Sequence, residues 1–192
     1  MDVTTSTDRE YFQNMYDEST DPWNFATSFY EQRKYALTIN SLPRERYRNA
    51  FEPGCSIGVL SELLASRCER LLATDIVSSA LEQAKKRLRR YENVVVESRA
   101  IPESWPDEVF DLVVLSEVAY YFDAGSLRDI LALIVRSTLP GAHVIGVHWR
   151  GETDYPLTGD RAHELMNAND QLRRIVHHLD EKFTLDLWER VT

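Results

Sequence analysis

Apolar positions along the chain fall into short runs separated by stretches with helical spacing. Arg48–Phe51 reads as a first strand ending at Glu52, and Val59, Leu60, Leu63 and Leu64 then share one face of a helix. Leu71–Thr74 reads as a second strand ending at Asp75, followed by a helix whose apolar stripe is Ala80, Leu81, Ala84 and Leu88. Val94–Val96 is a short third strand, and the near-continuous hydrophobicity of Phe110–Leu115, interrupted by Asp111, predicts a fourth that is buried on both faces. Leu127, Ile130, Leu131, Ile134 and Val135 keep helical spacing, and Pro140-Gly141 is expected to stop that helix. Val144–Trp149 gives a fifth strand. A helix near Arg161–Asn167 leads to a closing hairpin of Arg173–His178 and Phe183–Glu189. In its last strand Phe183, Leu185 and Leu187 alternate with Thr184, Asp186 and Trp188, the period of a half-buried strand. Strands alternating with helices predict a parallel α/β sheet, and the terminal hairpin departs from the usual dehydrogenase plan.

The N-terminal forty positions stand apart. Tyr11, Phe12, Tyr16, Trp23, Phe25, Phe29, Tyr30 and Tyr35 crowd around the break Asp21-Pro22, and two helices are expected, near Asp8–Asp17 and Ser28–Asn40. The rings either pack against the sheet or wall a binding pocket, and such a segment suits a lid over an active site. With no repeat and no linker, the 192 residues read as one domain: a helical lid segment over 1–42 and the sheet over 43–192.

Charge narrows the partners. Thirty-one acidic against 22 basic side chains give a net charge of −9, which argues against a nucleic-acid surface. The cluster Lys85, Lys86, Arg87, Arg89 and Arg90 reads as the solvated face of one helix. Cys55 and Cys68 form no CxxC pair, the opening Met1–Thr7 is polar, and no apolar run nears the ~20 residues of a membrane span. A reduced, cytoplasmic protein without a membrane partner is the expectation. The histidines lack zinc spacing, and neighbours His177 and His178 would point to opposite faces of a strand, so no metal is expected.

Candidate chemistry centres on Glu52-Pro53-Gly54-Cys55-Ser56-Ile57-Gly58, a small-residue turn joining the first strand to a helix. Backbone amides at such a helix N-terminus can face a ligand. Asp75 ends the second strand, where a carboxylate can bind both ribose hydroxyls, and Ile76 can press on an adenine face. The dinucleotide pattern GxGxxG fails at Ser56 and Val59, positions where a pyrophosphate needs close backbone approach. A methionine chain needs less room, and Glu52 is placed to favour its ammonium group. The turn therefore fits S-adenosylmethionine (SAM) better than NAD.

This turn, Asp75, Phe110–Val118 and Leu139-Pro140-Gly141-Ala142 resemble the successive motifs of class I SAM-dependent methyltransferases. Within that superfamily the chain is similar to the nodulation protein S (NodS) group, through Asp21-Pro22-Trp23, Arg67–Leu71 and Ser116–Tyr121. The resemblance implies a Rossmann-like α/β fold with helices on both faces of a mostly parallel, seven-stranded sheet whose last strand is antiparallel. It implies that Gly54, Ser56 and Gly58 approach the methionine portion and that Asp75 takes the ribose. Glu52, Cys55, Ile76 and Ser116 belong to the same cofactor set. Arg99 and Ala100 stand where Asp-Ala often lies beside the adenine, so only a backbone contact carries over.

Methyl transfer needs alignment and a nucleophile with a free lone pair, and an amine must first lose its proton. Groups that could help lie after the fourth and fifth strands: Glu117, Tyr120, Tyr121, His148 and Trp149, with Glu117, Tyr120 and His148 as the catalytic candidates. Their bland readings are a helix-capping carboxylate for Glu117 and a hydrogen-bonded imidazole at the sheet edge for His148. The polar loop Glu152–Asp160 could hold a hydroxylated acceptor, and Asp160 is expected to cap the next helix. The resemblance implies N-methylation of a deacetylated chitooligosaccharide or related amino sugar, with S-adenosylhomocysteine as product. An O-methyltransferase of a small metabolite, a SAM-binding protein without catalysis and a nucleotide-dependent oxidoreductase are the alternatives.

Overall fold

Asp8 accepts the Tyr11 amide at 2.9 Å and thereby caps helix α1, Arg9–Glu18. The computed structural model describes residues 5–191; Met1–Thr4, part of the polar opening, and Thr192 lie outside the described residues. Helix α2, Phe29–Ser41, follows the break at Asp21-Pro22. The described residues form two compact units. Asp8–Ala100 is one, and the segment from Ile101 onward, with the few residues before Asp8, is the other.

In the Asp8–Ala100 unit, β1 (Tyr47–Pro53), β2 (Cys68–Asp75) and β3 (Val94–Ser98) pair in parallel. Helices α3 (Val59–Ala65) and α4 (Ser78–Leu88) make the crossovers. Ala80, Leu81, Ala84 and Leu88 are all buried, as the apolar stripe predicts. On α3 the buried face is Leu60, Ser61, Leu64 and Ala65, while Leu63 is exposed. A hydroxyl thus occupies an inward position that an apolar stripe alone assigned to leucine.

The second unit holds β4 (Phe110–Ser116), a 3-10 turn at Ala119–Tyr121, α5 (Ala124–Arg136), β5 (Thr138–Trp149), α6 (Gly159–Asn167), β6 (Leu172–Leu179) and β7 (Phe183–Arg190). Pro140-Gly141 does not stop α5. The helix already ends at Arg136, where the Thr138 hydroxyl takes the Ile134 carbonyl at 2.7 Å, and Pro140-Gly141 lies inside β5. There the β4–β5 register jumps from Phe110↔Thr138 to Leu112↔His143, a bulge that absorbs the proline. Nor does Asp160 cap α6. Thr158 does so by accepting the Arg161 amide, and Asp160 instead pairs with both Nε and Nη2 of Arg150.

Among the described residues the sheet has seven strands in the order β3-β2-β1-β4-β5-β7-β6. β7 runs antiparallel to both its neighbours, β5 and β6. This is the Rossmann-like methyltransferase topology that the sequence resemblance implies. One expectation fails in detail: β7 is buried at every position from Phe183 to Trp188, because it lies inside the sheet and β6 takes the edge. No helix among the described residues is long and apolar enough to cross a membrane.

Candidate functional site

The turn after β1 is built on left-handed backbone. Gly54, Ser56 and Gly58 have φ of 72°, 52° and 78°. Gly58 also has no room for a side chain, since a Cβ there would sit 3.1 Å from Leu88 Cδ1 and 3.2 Å from the Ala84 Cα on α4. For Ser56 the conformation costs about 1–2 kcal/mol relative to right-handed backbone, and three contacts hold it in place. Its amide donates to Asp75 Oδ2 at 2.8 Å, its hydroxyl shares a short hydrogen bond with the Tyr16 hydroxyl, and Cys55 before it donates its amide to the Thr74 carbonyl at 2.9 Å.

Asp75 terminates β2 and also takes the Val77 amide on Oδ1 at 2.9 Å. Burial raises its pKa, against the lowering effect of these amides. Ile76 packs with Tyr16, Ile57, Val77 and Ala80, and the rings of Phe12, Trp23 and Phe25 join the same cluster. The N-terminal aromatics therefore reach the candidate cofactor turn within one unit. Arg99 donates its amide to the Asp75 carbonyl at 3.1 Å and turns its guanidinium onto Glu97, while Ala100 is exposed.

Glu52 and Cys55 are buried. Glu52 accepts the Ser61 hydroxyl, yet burial and, secondarily, Asp75 push its carboxyl up to about 8. Burial also pushes the Cys55 thiol up, with Asp75 and Glu52 adding to it. An acid held so far above its ordinary range is poised to ionise when a cation arrives. The donor set, the buried Glu52 and the half-buried Asp75 around a glycine-containing turn, fits the ammonium and the ribose of an adenosyl amino acid.

In the second unit, Ser116 ends β4 opposite Val147, and Glu117 follows with φ of 55°. Its amide continues the ladder to the Val147 carbonyl at 2.8 Å. A bulky acid in left-handed backbone directly after a buried strand is the kind of outlier that marks a functional position. Its Oε2 accepts the Tyr120 hydroxyl at 2.5 Å and the Trp149 amide at 2.9 Å. Burial, together with the Glu117 charge, raises the Tyr120 pKa well above its ordinary value. The Tyr120 ring stacks on Tyr155 from the loop after β5, and Tyr121 meets both rings edge-on.

His148 lies apart from solvent, with no exposed surface. Its Nε2 receives the Ala119 amide at 3.0 Å, and its Nδ1 lies 2.9 Å from His163 Nε2. His163 Nδ1 meets Asp186 Oδ2 at 2.7 Å, and Asp186 Oδ1 meets His177 Nδ1 at 2.7 Å. Burial pushes the Asp186 carboxyl up, but the hydrogen bonds from His163 and His177 and the Arg174 guanidinium hold it below the usual carboxylate range.

Sequence reasoning singled out Glu117, Tyr120 and His148 but not His163 or Asp186. Asp186 sat at a position assigned to solvent by alternation, and His163 had no motif to mark it. The available signal was an acid and an indole on the polar side of a strand that closes the sheet. Tyr16 and Ser61 were hidden in the same way, as a ring among rings and a serine among leucines.

Comparison with known proteins places these features in a family. A family model described as Nodulation protein S (NodS) matches residues 7–149. Nodulation protein S of Rhizobium tropici is 30% identical over 127 residues, covering 65% of this chain and 53% of the relative. That of Bradyrhizobium diazoefficiens is 34% identical over 114 residues, covering 59% and 52%. The chain thus spans about half the length of the curated relatives it matches. A crystal structure of a methyltransferase candidate from Pseudomonas syringae is 38% identical, with a TM-score of 0.76, covering 85% of this chain and all of that one. N-methyltransferase NodS from Bradyrhizobium japonicum WM9, in complex with S-adenosylhomocysteine, shares the fold at 21% identity, with a TM-score of 0.80 over 93% of this chain and 97% of that one. With the family match running unbroken from before α1, through the Gly54–Gly58 turn, to Trp149, the chain belongs to the Nodulation protein S family.

Proposed function

We propose that the protein is a SAM-dependent methyltransferase whose acceptor is the free amine of a deacetylated amino sugar or chitooligosaccharide. The observation that carries this reading is the Asp75 carboxylate, held by the Ser56 and Val77 amides beside a turn with left-handed Gly54, Ser56 and Gly58. In this reading Glu52 meets the cofactor's ammonium, Asp75 its ribose hydroxyls and Ile76 its adenine face. Cys55 lines the same site, and Arg99 and Ala100 contribute backbone; Ser116, at the end of β4, keeps its assignment as a cofactor residue. Bound SAM supplies an electrophilic methyl group on a sulfonium sulfur. Helix α1, tied to Ser56 through Tyr16, serves as the inner edge of the aromatic lid.

The acceptor nitrogen needs its lone pair, so its ammonium form must give up a proton. Glu117 is the carboxylate assigned to that task, fixed in direction by the Tyr120 hydroxyl and the Trp149 amide. The nitrogen would take the methyl group of bound SAM, with the carbon–sulfur electron pair staying on sulfur, and the methylated ammonium would then shed a proton. His148 has both ring nitrogens occupied within the protein, so its assigned role is to hold the Ala119 turn rather than to touch the acceptor. Transfer to nitrogen is also favoured by the N-methyltransferase from B. japonicum that shares the fold.

The test is incubation with methyl-labelled SAM and a panel of deacetylated chitooligosaccharides, simple amines and phenols. Label on the sugar amine is expected. Label on phenols alone would make the protein an O-methyltransferase. S-adenosylhomocysteine binding with no labelled product would favour a non-catalytic binding protein, and NADH binding without S-adenosylhomocysteine binding would overturn the cofactor assignment.

A further inference from the structure

The chain Ala119–His148–His163–Asp186 has one self-consistent arrangement of protons. A backbone amide can only donate, so the Ala119 contact requires a lone pair on His148 Nε2. The proton of the neutral ring is then on Nδ1, where it points at His163 Nε2. That nitrogen must accept, which leaves the His163 proton on Nδ1, facing the Asp186 carboxylate. A further proton on either ring would set donor against donor.

The fold makes room for this chain. Gly146 stands opposite Asp186 in the β5–β7 register, and a Cβ there would press on Trp188, Met166 and His163. Gly159, the first residue of α6, lies so close to the Trp149 carbonyl that a Cβ would sit 2.2 Å from it. Omitting both side chains lets α6 bring His163 onto His148, and the burial of β7 brings Asp186 up beneath His163. His148, His163 and Asp186 are each at most 6% exposed, whereas the side chain of His177, at the far end, is 45% exposed.

We propose that His163 and Asp186 are positioning residues for methyl transfer: they lock His148 in its Nδ1–H tautomer, so that Nε2 holds the Ala119 amide and the turn that presents Tyr120 to Glu117. The effect on rate rests on the reading of Glu117 given above; the tautomer and the anchoring of the turn do not.

The experiment is nitrogen NMR of the full chain labelled at histidine, with amide exchange at Ala119, on wild type, His163→Leu and His163→Gln. Wild type is expected to show His148 protonated at Nδ1 and bare at Nε2. Leucine removes the acceptor for that proton, so the signature is lost and Ala119 exchanges about fivefold to tenfold faster. The Oε1 of glutamine can take the place of Nε2, so His163→Gln keeps both. A proton on His148 Nε2 in wild type, an unchanged signature in His163→Leu, or equal loss in both variants would overturn the proposal. If His163→Leu does not fold, the wild-type tautomer and His163→Gln still decide. With deacetylated chitotetraose as acceptor, His163→Leu should lower kcat by about tenfold to a hundredfold and leave the KM for SAM unchanged. Absence of turnover in wild type would reject the acceptor and leave the NMR result standing.

Discussion

Ser61 donates its hydroxyl to Glu52 Oε2 at 2.6 Å, and neither side chain meets solvent. One hydroxyl does not offset the loss of hydration around a carboxylate, so the Glu52 pKa rises from 4.5 to about 8. The folded protein therefore holds a proton that the unfolded chain releases above its ordinary pKa. Stability contributed by this group is intact below pH 4.5 and is lost as pH rises toward 8, by at most about 1.4 kcal/mol per pH unit. Glu52→Gln keeps an acceptor for Ser61 and removes the titration. Urea unfolding from pH 5 to 8 should show the variant gaining on wild type by a few kcal/mol; parallel curves would remove Glu52 as the cause.

The same proton should leave when the cofactor's ammonium arrives. Titration with S-adenosylhomocysteine at pH 6.5, in buffers of different ionisation enthalpy, should report release of about one proton by wild type and none by Glu52→Gln. Equal release by both proteins would place the ammonium elsewhere.

In the proposed reading Asp75 has two duties, holding the turn and taking the ribose, so a conservative substitution tests it best. Alanine would strip an acceptor from both the Ser56 and the Val77 amides as well as from the ribose. Asparagine keeps one acceptor oxygen and turns the other into a donor facing an amide. Asp75→Asn should weaken S-adenosylhomocysteine by about tenfold to a hundredfold in calorimetry and lower stability by about 1–3 kcal/mol in urea. Lower stability with unchanged affinity would confine Asp75 to shaping the turn.

What could be read from the sequence was what periodicity and local chemistry encode. The α4 stripe at Ala80, Leu81, Ala84 and Leu88, the strand ending at Asp75 and the closing hairpin all follow from spacing. The small-residue turn was visible in Gly54 and Gly58, though not its left-handed backbone at Ser56, and Glu117 stood out as an acid after an apolar strand. Strand order was not visible in the same way. Alternation cannot tell an edge strand from an inner one, so Asp186 and Trp188 read as exposed although β6 covers the edge. Pro140 misled for a related reason: a proline is tolerated in a strand at a bulge, and a bulge is a property of the pair. The His148–His163 contact depends on α6 closing over β5, which no local pattern encodes.

That closure can be tested at Gly159. An alanine Cβ would meet the Trp149 carbonyl at 2.2 Å and His148 Cβ at 3.1 Å, both parts of a packed strand. Gly159→Ala should lose about 1–3 kcal/mol in urea unfolding, because α6 must move off β5. Gly125 makes the control: its Cβ would meet only the Asp123 side chain, so Gly125→Ala should stay within about 1 kcal/mol of wild type. Equal effects at the two glycines would mean that the close approach of α6 contributes nothing to stability.

Asp123 gives a prediction with the opposite pH dependence. It caps α5, accepting the Ser126 hydroxyl at 2.7 Å, the Ser126 amide, the Ser6 hydroxyl at 2.8 Å and the Gly125 amide. These donors, the Ser126 hydroxyl first, lower its pKa from 3.8 to about 2. A depressed carboxylate contributes stability that is present above pH 3.8 and is lost as pH falls toward 2. The group is only half-buried, so solvent screens its charge and the cap rather than the full shift sets the size: Asp123→Ala should cost about 1 kcal/mol at pH 7. As pH falls to 2 the urea midpoints of wild type and variant should draw together, because the wild-type carboxylate is by then about half protonated and most of the charge's contribution is lost. A difference that persists undiminished at low pH would show that the cap acts through packing or backbone preference and not through the charge.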